Sequence, residues 1–116
     1  MLEVPPKVLG LIDDMWYRWT VDVGITGPDK GAGGKYLLLP PGYKDAVPDG
    51  YHVVRSPTFQ TWAGWRTFLV DGDAKPGVAA VKQYTKIYPL AQAGKPPPAL
   101  TFVNMSGKPR SEEHTS

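Results

Sequence analysis

Glycine and proline interrupt this chain every few residues. There are thirteen of each in 116 residues, and neither follows a collagen-like period. That is about twice the usual share of each. The apolar stretches between them are short, so the chain is confined to short elements joined by turns. Such a pattern favours β architecture over a helical bundle.

The length suits one domain rather than two. Hydrophobic residues make up 41%, with four Trp and six Tyr, enough apolar material for one packed core. The basic residues are scattered singly, without the concentrated positive stripe that nucleic-acid binding requires. Absence of cysteine excludes disulfides, thiolate zinc sites and iron–sulfur clusters within the chain. No apolar run approaches the ~20 residues of a membrane-spanning helix. The opening Met1-Leu2-Glu3-Val4-Pro5-Pro6 is not a signal peptide.

Periodicity locates the elements. Val8 to Ile12 is apolar but holds Gly10, and its state is ambiguous. From Trp16 to Val23 the residues alternate, with Tyr17, Trp19, Val21 and Val23 on one face and Trp16, Arg18, Thr20 and Asp22 on the other. This predicts a strand that buries the first face. Gly24 to Gly34 reads as a flexible glycine-rich loop. Tyr36–Leu39 is apolar on both faces and bounded by Pro40-Pro41-Gly42, as a buried strand would be. Further strands are expected at Tyr51–Arg55, at Phe59–Val70 with a bend at Gly64, and at Leu100–Val103 after Pro96-Pro97-Pro98. Asp71-Gly72 is a turn. One short helix is expected near 74–85, capped by Asp73, with Pro76 in its first turn and Val78, Val81 and Tyr84 on its apolar face. The fold class is therefore mainly β, an antiparallel sheet or sandwich-like domain fragment with one short helix.

Both ends read as cuts. Glu3-Val4-Pro5-Pro6 looks like the end of a strand with nothing before it to pair with. The segment Arg110-Ser111-Glu112-Glu113-His114-Thr115-Ser116 shares nothing with what precedes it. It reads as the in-frame translation of a sequencing-library adapter. The expected domain is thus 1–109, truncated at both ends, with 110–116 as an adapter-derived tail.

An ordered series of motifs carries a family resemblance. It runs Val4-Pro5-Pro6, Asp13-Asp14-Met15-Trp16, Gly27-Pro28-Asp29-Lys30-Gly31, Gly33-Gly34-Lys35-Tyr36, Leu39-Pro40-Pro41-Gly42-Tyr43, Pro48-Asp49-Gly50-Tyr51 and Arg55-Ser56-Pro57-Thr58. Trp65-Arg66, Val70-Asp71-Gly72-Asp73 and Ile87-Tyr88-Pro89-Leu90 follow. Singly these are turn signals; in this order they resemble the bacterial DUF1254 family, up to Pro109. The resemblance implies a largely β domain that continues at both ends. Upstream it implies an Asn-x-Asp-Thr-x-Tyr-like motif, absent here. Downstream it implies a DUF1214-like domain as partner. It also implies an exported or periplasmic location.

Catalytic readings fail on their own chemistry. Gly31-Ala32-Gly33-Gly34-Lys35 is followed by Tyr36 and a strand, whereas a phosphate loop needs Ser or Thr and a helix N-terminus. His52 is the only histidine before the tail. Ser56 and Ser106 sit in no nucleophile elbow, and nothing selects a carboxylate pair for glycoside hydrolysis. Asp13, Asp14 and Asp22 could hold calcium through oxygen, but a turn or cap at Asp13-Asp14 and a solvated Asp22 are the favoured alternative. No metal and no cofactor are expected.

The retained constellation is arginine with aromatics: Trp16, Arg18, Asp22 and Arg66. Arg66 lies in a strand otherwise almost free of charge, so a buried guanidinium there needs Asp22 or Asp14 as partner. The structural reading, a core ion pair wrapped in aromatics, is favoured. The functional reading is a site for sugars or small anions, with rings stacking and charges orienting the ligand. The expected function is a non-catalytic structural or small-ligand-binding part of a larger bacterial protein, carbohydrate being one ligand class. The alternative is an incomplete portion of a carbohydrate-active enzyme. A homo-oligomer is left open.

Overall fold

The computed structural model describes residues 1–107; the adapter-like tail expected at 110–116 lies outside the described residues. The elements run β1 (Leu2–Val4), β2 (Val8–Asp14), β3 (Trp19–Gly24), β4 (Gly34–Leu39), β5 (His52–Arg55), β6 (Thr61–Thr67), helix α1 (Lys75–Tyr84) and β7 (Lys86–Ile87), then a 3-10 turn at Leu90–Gln92. They form a four-stranded sheet, β5-β4-β1-β7, and a three-stranded sheet, β3-β2-β6. The mainly β class with one short helix is what the turn spacing predicts. Within the larger sheet one pair, β4 and β5, is parallel. Its crossover is the loop of residues 40–51, about the dozen residues that a parallel connection needs.

The segment that sequence left ambiguous is the centre of the smaller sheet. β2 is hydrogen-bonded on both sides, to β3 and to β6. Gly10 permits this close three-strand packing. A Cβ there would fall 2.2 Å from the Gly64 carbonyl oxygen and 2.4 Å from Trp65 Cβ. β1, read from sequence as a strand end with nothing before it to pair with, is an inner strand, pairing with β4 (Leu2 opposite Tyr36) and with β7 (Leu2 opposite Ile87). Both partners come from later in the chain. Leu2, Val4, Tyr36 and Val54 of one sheet and Val8, Ile12 and Val23 of the other make one shared core, with Val21, Leu38 and Trp65 against it.

The Gly24–Gly34 segment is not a loose loop but folds around a buried carboxylate. Asp29 accepts hydrogen bonds from the Gly24 amide (2.8 Å), the Gly33 amide (3.0 Å) and the Tyr36 hydroxyl. Gly24 ends β3, Gly33 precedes β4, and Tyr36 lies in the core, so one side chain joins the two sheets. Burial first, then the Asp29 carboxylate, pushes the Tyr36 hydroxyl well above its usual pKa.

The strand predicted over Trp16–Val23 begins only at Trp19, because Asp14–Arg18 is a hairpin turn. The Tyr17 amide donates to the Asp14 carbonyl (3.1 Å) and the Asp14 amide to that of Arg18 (3.0 Å). Tyr17 adopts a φ of 59°, a left-handed conformation that non-glycine residues seldom take. Asp14 is completely buried. Its Oδ1 accepts the amides of Trp16 and Arg18 (2.8 and 3.0 Å), and its Oδ2 the Arg18 Nε (2.8 Å).

α1 also sits differently from expectation. The N-cap is Ala74 rather than the expected Asp73, whose Oδ1 accepts the Lys75 amide (2.9 Å) from one position further out, while Pro76 lies in the first turn as predicted. However, Val78 and Tyr84 remain exposed, and the buried residue of the helix is Gly77. A Cβ at Gly77 would lie 2.2 Å from Thr67 Oγ1 on β6. Leu100–Val103 forms no strand; Phe102 and Val103 instead border a groove with Val78 and Val81 of α1. The long Phe59–Val70 strand shortens to β6, and Val70 and Asp73 close the Asp71-Gly72 turn.

These contacts generate three expectations. Asp29→Ala leaves two amides and a phenol of the core without an acceptor. At about 1–3 kcal/mol for each orphaned group, chemical denaturation should show a loss on the order of 3 kcal/mol or more. Gly77→Ala would gain about 1 kcal/mol in an open helix, yet here its clash with Thr67 should lower the melting temperature; an unchanged or higher value contradicts that contact. For Asp14, desolvation works to raise the pKa, but the Arg18 and Trp16 amides and the Arg18 guanidinium outweigh it and hold it below normal. A depressed carboxyl stabilises the fold above its unfolded pKa and loses that contribution as pH falls through the folded one. Melting should therefore drop below about pH 4, and Asp14→Asn should remove part of that acid dependence.

Candidate ligand-binding face

Strand register decides which side chains share a face. Across β2, Leu11 stands opposite Asp22 and Gly64, and Leu9 opposite Gly24 and Arg66. Directly paired residues project to the same side of a sheet. The side carrying Val8, Ile12, Val23 and Trp65 faces the core. Leu9, Leu11, Asp22, Trp62, Gly64 and Arg66 therefore lie on the other, outer side.

A bulge changes the expected alternation at this point. Ile12 pairs with Val21 but Asp13 pairs with Trp19, so Thr20 is the extra residue. An extra residue shifts the facing of everything beyond it. Trp19, predicted to be buried with Val21 and Val23, is turned outward and is 65% exposed. Its indole Nε1 donates to Asp22 Oδ1 (2.7 Å), which holds that carboxylate in place.

On the other flank, Trp62 is laid along the sheet. A Cβ at Gly64 would lie 3.1 Å from its Cζ3, so the glycine leaves room for the ring. Tyr17 meets Trp62 edge-on, with centroids 6.0 Å apart and planes at 66°. Between these flanks is an open groove of about 560 Å³, bordered by Leu9, Leu11, Asp22, Thr26, Trp62 and Arg66 among others. β3 and β6 run about 10 Å apart on either side of β2, with Asp22 level with Leu11 and Arg66 level with Leu9, so the two charges flank an apolar floor on a diagonal.

The residues singled out from sequence thus divide. Asp22 and Arg66 border one groove. Arg18 is engaged at the hairpin with Asp14, its side chain 63% exposed. Trp16, 74% exposed, sits at the hairpin tip. The core ion pair expected for Arg66 does not form: Arg66 is exposed and has no ion-pair partner among the described residues. The buried carboxylate belongs to Arg18 instead. Sequence reading missed Trp62, Leu9 and Leu11. Trp62-x-Gly64-x-Arg66 does alternate, which would have put Trp62 and Arg66 on one face had β6 been read by its own period. The aspartates weighed for calcium are not assembled, since Asp14 is spent on Arg18 and the turn amides. Among the described residues no group of three or more His, Cys, Asp or Glu converges on a metal position. No helix among them is long and apolar enough to cross a membrane.

No curated protein shows significant similarity to the chain. The family model described as "Protein of unknown function (DUF1254)" matches residues 1–89, a stretch that includes both sheets, the groove and α1. The order of motifs from Val4-Pro5-Pro6 to Tyr88-Pro89 and the family match agree, and the chain belongs to the DUF1254 family.

Proposed function

We propose that the outer face of the β3-β2-β6 sheet binds a small polar ligand of carbohydrate type, as a non-catalytic part of a larger bacterial protein. The observation that carries this reading is Trp62 laid on Gly64 between an unpaired Arg66 and an indole-anchored Asp22. A flat aromatic surface stacks on the apolar face of a sugar ring, while a cation and a fixed carboxylate select its substituents. Arg66 offers a planar fork of donors suited to a carboxylate or phosphate substituent, and Asp22 accepts from hydroxyls. Arg18 acts in this reading as the clamp of the adjacent turn rather than as a ligand contact. Export to the periplasm and a downstream DUF1214-like domain belong to the same proposal and rest on the family resemblance.

The test is a titration of the 116-residue chain with neutral and acidic oligosaccharides, followed by tryptophan fluorescence. A saturable change is expected. Arg66→Ala should weaken an acidic ligand by roughly tenfold or more, as loss of a charge-assisted hydrogen bond does. Because Arg66 is exposed, its melting temperature should stay close to that of the parent. No saturable response to any ligand, or a fall of several degrees in melting temperature for Arg66→Ala, would overturn the proposal.

A further inference from the structure

Asp13 puts a carboxyl on the outer face that neither the fold nor the groove accounts for. In β2 it follows Leu9 and Leu11 on that side, one step nearer the hairpin, and stands opposite Trp19 on β3 and Trp62 on β6. Side chains paired in this way lie about 5 Å apart at Cβ, so an indole flanks the carboxyl on each side. Asp13 is only 8% exposed, and its Oδ1 is buried without a hydrogen-bond partner among the described residues. Its neighbour Asp14, by contrast, is satisfied by two amides and by Arg18. That ion pair is the one found among the described residues, so no cation neutralises Asp13. Folded proteins seldom keep a buried polar atom unpaired, because the missing bond costs free energy. A donor from outside the chain removes that cost.

We infer that Asp13 is the counter-ion for a protonated amine on the ligand of the groove, which makes that ligand an amino sugar. The inference rests on the groove being a ligand site. Indole rings attract an ammonium group through their π faces, and Trp19 and Trp62 stand one on each side. Asp22, which accepts from Trp19 Nε1 (2.7 Å), adds a second carboxylate one step along the same face. Exposed side chains change rotamer within nanoseconds. Trp19, 65% exposed, can therefore give way to the amine and free both carboxylates for it. Arg66 is level with Leu9, four strand positions from Asp13, or about 13 Å. That exceeds the Debye length of ~10 Å at 0.1 M salt, so Arg66 neither neutralises Asp13 nor repels an amine bound there. A metal ion fits less well. Calcium takes about six to eight oxygen ligands, and among the described residues no group of three or more His, Cys, Asp or Glu converges there. An ammonium group needs only the counter-ion and the rings.

The experiment titrates the full chain with the glucosamine disaccharide and with its N-acetylated counterpart, at a pH where the free amine is protonated, and follows tryptophan fluorescence. The free amine should bind roughly tenfold more tightly, since the ammonium gains a charge-assisted hydrogen bond and contact with the rings. Asp13→Asn and Asp13→Leu should each lose that preference and bind the two disaccharides alike. Neither should melt below the parent, because each removes a buried charge that has no partner. Equal binding of the two probes by the parent, or a preference that survives both variants, overturns the inference and leaves the groove standing as a binding site. Binding of neither probe overturns it as well; the groove reading then survives alone if an acidic oligosaccharide binds in an Arg66-dependent way. A melting temperature several degrees lower in both variants would assign the carboxyl to the fold. Stabilisation by calcium alone that both variants abolish would assign it to a metal. Either result overturns the inference.

Discussion

The buried carboxylate of Asp29 is the contact on which the two-sheet arrangement depends. It receives the amide that ends β3, the amide that precedes β4 and the hydroxyl of Tyr36 in the shared core. Nothing else in the glycine-rich segment has a side chain able to satisfy those donors at once. Glycine at 24, 31 and 33, all with φ near +80°, lets the backbone wrap closely enough to reach it. Once that segment is fixed, β4 lies beside β1, and the sheets meet through Val8, Val23 and Tyr36. An apparently featureless loop is therefore the joint of the molecule.

Asp14 repeats this device on a smaller scale at the opposite end of β2. It caps the hairpin amides and pairs with Arg18, which settles the turn and so fixes where β3 starts. The bulge at Thr20 then follows, and with it the outward facing of Trp19. Site and fold are coupled here: the side chain that anchors Asp22 is outside only because the ladder slips by one residue. The outer face keeps a cation, a carboxylate and a flat indole together without burying any of them, which is a common composition for a surface that recognises polar rings.

The groove and the hairpin tip meet at the Tyr17–Trp62 contact. Both surfaces belong to the smaller sheet, and the two sheets contribute equally to the aliphatic part of the shared core, Leu2, Val4 and Val54 from the larger and Val8, Ile12 and Val23 from the smaller.

Some of this was determined by sequence alone. Proline and glycine spacing dictated short strands, Tyr36–Leu39 declared itself a buried strand through its two apolar faces, Asp71-Gly72 its turn, and Pro76 its helix start. These are local effects, set by φ restriction and side-chain period over a few residues. The ordered motifs likewise sufficed for the family. Tertiary structure decided the rest. Leu2–Val4 found partners thirty or more residues away, and Val8–Asp14 became central because strands on both sides claimed it. α1 docked through Gly77 because a Thr on β6 leaves room for nothing larger. Arg66 turned outward and Arg18 took the buried carboxylate, reversing the expected pairing. Strand partners, bulges and the choice between two candidate ion pairs depend on residues far apart in the chain, and no period in the sequence carries that information.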